Sequence, residues 1–111
     1  MNGIKRRKGI VKYKQDIAGV IEEIDNGYRF TYEDEFMEKG IAISFSLPIK
    51  NRVYENEELF SFFEGLLPEG WYLEIVTKNM KIDRNDKFGV LLATCKDTIG
   101  AVSVEEENET L

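Results

Sequence analysis

Phe60-Ser61-Phe62-Phe63-Glu64-Gly65-Leu66-Leu67-Pro68-Glu69-Gly70-Trp71 holds three of the chain's seven phenylalanines and its only tryptophan. At 100° per residue, Leu59, Phe60, Phe62, Phe63, Leu66 and Leu67 share an arc of about 160°, with Glu57, Glu58, Ser61, Glu64 and Gly65 on the rest. The pattern predicts an amphipathic helix that lays one face on a core. Asn56 is the expected N-cap, with Glu57 and Glu58 suited to the positive end of the helix. Pro68 stops that helix, because its ring clashes with the preceding turn and biases Leu67 away from the α region. Proline also suits a helix start, so a second helix is expected over roughly 69–79. Its apolar residues, Trp71, Tyr72, Leu73, Ile75, Val76 and Met80, spread over about 200°, wider than one packing face needs. Part of that surface must meet a second neighbour or remain exposed. Trp71 sits at the stripe's edge beside a rigid corner, where it either anchors a partner or folds over the domain's own core.

Upstream, the chain reads as short strands. Residues 10–14 alternate weakly, and Ala18-Gly19-Val20-Ile21-Glu22-Glu23-Ile24 follows as a second strand, with Gly19 marking a bulge or a close backbone approach. Asp25-Asn26-Gly27 signals a hairpin, because Asn-Gly tolerates positive φ. The third strand puts Tyr28, Phe30 and Tyr32 on one face. One helical turn ended by Gly40 is expected next. Ile41-Ala42-Ile43-Ser44-Phe45-Ser46-Leu47 then alternates large and small residues as a strand would, and Pro48 ends it. Residues 49–55 form a loop or a short edge segment. A third helix is predicted over 86–94, and a last strand over 99–104. Closely spaced early strands imply antiparallel pairing. The expected fold is therefore α+β, a small curled antiparallel sheet or barrel of about five strands covered by two or three helices.

The 111 residues make one domain, 42% hydrophobic and 32% charged. No apolar run approaches the ~20 residues of a membrane span, and no secretory signal pattern opens the chain. One cysteine, Cys95, excludes an internal disulfide and fits a cytoplasmic location. Histidine is absent, which removes the commonest general base and metal ligand. The nine glycines are scattered, with no phosphate-binding loop among them. Lys87-Phe88-Gly89 is no substitute for a metal-binding Asp-Phe-Gly. Neither an enzyme nor a cofactor or metal site is expected. The net charge of −6 is uneven. Residues 1–8 read as a flexible basic arm (Lys5, Arg6, Arg7, Lys8), residues 9–104 as the domain, and residues 105–111 as an acidic tail. An acidic chain disfavours nucleic acid, so only the arm could contact it.

Five segments, in order, resemble the N-terminal subdomain of the HipA family of Ser/Thr kinase toxins. They are Ala18-Gly19-Val20-Ile21, Phe30-Thr31-Tyr32, Ile43-Ser44-Phe45-Ser46-Leu47-Pro48, Phe63-Glu64-Gly65-Leu66-Leu67-Pro68-Glu69-Gly70 and Gly100-Ala101-Val102. Ile43-Ser44 departs mildly from the family's Leu-Ser. The resemblance spans about residues 10–104. A full-length toxin would continue into a kinase core, whereas this sequence stops at Leu111. The chain is therefore similar to the short HipS-type component of split systems, which implies an antitoxin for a separately encoded HipT/HipA-like kinase. A HipB-like DNA-binding protein is the implied third partner. The alternatives are a non-inhibitory structural subdomain of a split kinase and a DNA-binding accessory of the complex. The expected partner contact is the corner Pro68, Glu69, Gly70 and Trp71, supported by Tyr72 and Leu73.

Overall fold

A computed structural model describes residues 6–107. Strands β1 (Lys8–Tyr13), β2 (Asp16–Ile24) and β3 (Gly27–Tyr32) lead into a single helical turn, α1 (Asp34–Met37). They are followed by β4 (Val53–Asn56), a second single turn α2 (Ser61–Glu64), helices α3 (Gly70–Met80) and α4 (Lys87–Thr94), and β5 (Val102–Glu106). The strands form one antiparallel sheet in the order β4-β3-β2-β1-β5. It is an open sheet with β4 and β5 as edges, so the α+β expectation holds in its open form and the barrel does not. The four helical segments, two of them single turns, correspond to the expected turn before Gly40 and the three expected helices.

The early strands follow their pattern. Period-2 alternation turns Val11, Ile21, Phe30, Tyr32 and Val104 inward, all fully buried. The opposite face carries Arg29 between Glu22 and Glu55, and Lys12 against Glu105, as a solvated sheet face should. Pairing slips between Val11 and Lys12, leaving Ala18 as the extra residue of a bulge. Beside it, a Cβ on Gly19 would lie 2.2 Å from the carbonyl oxygen of Thr31, so β2 and β3 can approach here only through glycine.

Aromatic rings knit the inner face to the segments above it. Phe30 meets Tyr32 at 4.7 Å and Phe63 of α2 at 5.8 Å, and Tyr28 meets Phe88 of α4 at 5.5 Å between centroids. Such pairs contribute about 0.5–1.5 kcal/mol each beyond area burial.

Two expectations fail locally. Residues 41–47 form no strand; they are a loop laid over the core, with Ile43 and Leu47 buried and Phe45 fully exposed at 104%. Alternation alone makes no strand, because backbone groups need partners. Here the buried Tyr32 hydroxyl supplies them, accepting from the amide of Ile43 (3.0 Å) and donating to the carbonyl of Leu47 (2.5 Å). Ser44 Oγ also accepts from the amide of Ser46 at 3.1 Å, a local bond that competes with strand pairing. The ladder partner of β3 is instead β4, within the segment read as a loop or short edge.

The helix expected over 59–67 shrinks to one turn. Asn56 is no cap: it ends β4, and its side-chain amide donates to the carbonyl of Glu58 at 2.9 Å. Phe60 is extended (φ −59°, ψ 140°), and after Glu64 the chain tightens into i→i+3 bonds to Leu66 and Leu67. The intended core side still faces inward, with Phe63 and Leu59 buried and Phe60, Phe62, Leu66 and Leu67 partly so. The last strand starts three residues later than expected, at Val102, leaving Ile99 and Gly100 in the preceding loop.

Of the basic arm, residues 1–5 lie outside the described residues. Arg7 is held by Glu23 and Asp86, and Lys8 opens β1. In the acidic tail, Glu105 and Glu106 belong to β5, and residues 108–111 lie outside the described residues.

Candidate functional site

The corner after α2 places a large aromatic side chain in solvent. Pro68 ends the tight turn, Glu69 is extended (φ −130°, ψ 165°), and Gly70, the first residue of α3, takes φ +61°. A side chain at Gly70 would meet open space, so the backbone angle and not crowding favours glycine there. No side chain caps the helix; its first bond runs from the amide of Leu73 to the carbonyl of Glu69 at 3.3 Å. Thr77 is the one buried residue of α3, and its hydroxyl donates back to the carbonyl of Leu73 at 2.7 Å.

The rest of the helix carries the surplus apolar surface that its 200° spread foretold. Trp71 is 71% exposed and Tyr72 59%, with Ile75 and Met80 also exposed. Trp71 therefore does not fold over the domain's own core. Trp71 and Ile75, four residues apart, share one side of the helix. Pro68 and Leu73 are half-buried at the base, while Glu69 and Gly70 are exposed. All six residues of the expected contact therefore lie together, on one corner and the helical turn it starts.

A second cluster went unread in the sequence. The Arg7 guanidinium donates to Glu23 (2.8 and 3.1 Å) and to Asp86 (2.8 and 3.0 Å), and lies 5.5 Å over the ring of Phe88. Asp86 also caps α4 by accepting from the amide of Gly89 at 3.1 Å. The arrangement joins the start of β1, the end of β2 and the start of α4. Arg7's hydrogen bonds hold the Asp86 carboxyl below its usual range, against a smaller opposing effect of burial. Burial pushes Glu23 upward, but the bonds from Arg7 together outweigh it and leave that carboxyl lowered. Arg6 pairs with Asp25. Both described arginines of the arm are thus engaged by carboxylates of the same chain.

Cys95 is buried at the end of α4, where desolvation pushes its thiol up, the opposite of an activated nucleophile. Among the described residues, no three metal-ligating side chains gather, and no helix is long and apolar enough to cross a membrane.

The fold and this corner define a small α+β domain in which the uncapped start of α3 carries an exposed tryptophan. The family model of the HipA N-terminal domain matches residues 9–105, and the chain belongs to that family. It is similar to an uncharacterized protein of Haemophilus influenzae, 32% identical over 103 residues, with 93% of this chain and 95% of that one covered. Among solved structures it is similar to the N-terminal domain of HipA toxin, with a TM-score of 0.74 and 27% identity, covering 99% of this chain and 100% of that one.

Proposed function

We propose that this chain is a HipS-like antitoxin, which binds a separately encoded HipT/HipA-like Ser/Thr kinase and neutralises it. The observation that carries the reading is Trp71, presented to solvent by the Pro68–Gly70 corner of a HipA N-terminal domain fold. A buried core has no use for that residue, whereas a partner pocket does: tryptophans are enriched among the residues that dominate interface energies. The Haemophilus influenzae relative supports a module that occurs by itself, since the matched region accounts for 95% of it. Tyr72 and Leu73 flank the anchor, and a HipB-like DNA-binding protein completes the assembly. The domain works by occupying a surface of the kinase, in the cytoplasm, and needs no cofactor.

The test mixes the purified chain with the kinase and follows phosphoryl transfer. Trp71→Ala is expected to weaken binding by about 2–4 kcal/mol, the cost of a hot-spot tryptophan, and to release the kinase. Inhibition unchanged by Trp71→Ala removes this corner as the contact. Co-expression separates an antitoxin from a purely structural subunit, because only the former restores growth in cells producing the kinase.

A further inference from the structure

Beside the corner, a second exposed apolar residue arrives from a distant part of the chain. Ile99, in the loop between α4 and β5, is fully exposed at 108%. Leu66, Pro68 and Tyr72 from one side and Asp97, Thr98 and Ile99 from the other line a single cleft of about 420 Å³. Its two walls are tied together, since the Cys95 thiol donates to the carbonyl of Leu66 at 3.3 Å. The loop itself is held in shape. The Thr98 hydroxyl donates to the carbonyl of Val102 at 2.5 Å, and the carbonyl of Ala101 accepts from the amide of Lys14 at 2.7 Å. Ile99 is therefore presented on a braced turn, where a partner would lose little conformational entropy in meeting it.

Charge says what kind of partner fits. Glu69 and Asp97 are exposed at this end of the molecule, and among the described residues neither makes an ion pair. Of the nearby bases, Lys87 is engaged by Glu64 at 3.0 Å, and Lys96 is exposed next to Asp97 in the chain. The cleft thus sets apolar Leu66, Pro68, Tyr72 and Ile99 beside the carboxylate of Asp97, with Glu69 next to Pro68 in the chain, in a protein of net charge −6. A segment with lysine or arginine flanking one apolar side chain complements both features.

Building on the kinase-binding reading above, we propose that the Leu66–Pro68–Tyr72–Ile99 cleft is a second docking site on the kinase, beside the Trp71 anchor. It takes a basic-flanked apolar segment of that kinase. The apolar side chain lies between Tyr72 and Ile99, and the basic groups meet Asp97 and Glu69.

The probe is a HipA-like kinase core lacking its own N-terminal domain, titrated against wild-type chain, Ile99→Asp, Asp97→Lys and Trp71→Ala. Ile99→Asp is expected to weaken binding at least tenfold. Asp97→Lys is expected to slow association several-fold and to flatten its dependence on ionic strength. Both residues are exposed, so both variants should melt with the wild type. Affinity unchanged in both would overturn the cleft proposal, even where Trp71→Ala weakens binding and the corner reading stands. No binding by the wild-type chain overturns both readings. Self-association of the chain that Ile99→Asp abolishes would make the cleft an interface between copies, and would also overturn the proposal.

Discussion

Helices α3 and α4 are both rich in apolar residues, and the fold puts them in opposite environments. α4 buries Phe88, Val90, Leu91 and Leu92, three of them (Phe88, Leu91 and Leu92) in the core shared with the sheet. α3 buries Thr77 and leaves Trp71, Tyr72, Ile75 and Met80 exposed. The difference begins at the helix starts. Asp86 caps α4 and is itself gripped by Arg7, which fixes that helix to β1 and β2. α3 starts from a proline corner with no side-chain cap, and Thr77 is its one buried residue. Apolar content therefore does not decide burial; the point of attachment does. In α4 the apolar residues hold the fold together, and in α3 they remain available to a partner.

This contrast can be broken most forcefully in α4. Phe88→Ala should remove about 3–5 kcal/mol of stability, as a fully buried aromatic would. Trp71→Ala should leave stability within about 0.5 kcal/mol of wild type, as surface substitutions do. Denaturant melts of the two variants check both values, and comparable losses would mean that α3 is core after all.

The attachment of α4 gives a smaller effect with a pH signature. Arg7→Met should cost roughly 2 kcal/mol at pH 7, between the values of exposed and buried ion pairs. Glu23 and Asp86 have lowered folded pKa values, so their contribution is fully present above the unfolded-state values of about 4. It is lost as pH falls through the folded values. Wild-type stability should therefore decline below about pH 4, and the Arg7→Met variant should show a shallower decline there. Parallel acid limbs in melts from pH 7 to pH 2 would show that the ion pairs do not act through these groups. A loss smaller than that of Arg7→Met belongs to the corner. Gly70→Ala should cost about 1 kcal/mol, because φ +61° disfavours any residue with a Cβ, while no neighbour is crowded.

Much of the fold was legible in the residues. The Tyr28-Phe30-Tyr32 face, the hairpin at Asn26-Gly27, the bulge or close approach at Gly19 and the two later helices all follow from local chemistry. The alternation of residues 41–47 was legible too, but it pointed to a strand that does not exist. Local pattern says which residues prefer burial, and Ile43 and Leu47 did find it. It does not say whether a ladder partner is within reach, and here the Tyr32 hydroxyl satisfies the backbone instead. The candidate corner was legible as a unit in the sequence because Pro68, Glu69, Gly70 and Trp71 are contiguous. Its neighbour was not, because Ile99 lies almost thirty residues further on and no short-range signal connects them.

By itself, then, the sequence determined the antiparallel α+β class, the sheet's buried face and an excess of apolar surface after Pro68. Each rests on interactions spanning a few residues: alternation, turn chemistry and the conformational limits of proline and glycine. Only the tertiary structure decided that the sheet is open, that residues 41–47 are a pinned loop, and that Trp71 is exposed. It alone brought Ile99 beside Tyr72. Those outcomes depend on which surfaces meet across the chain, and pairing at a distance is settled by packing and backbone hydrogen-bond supply together.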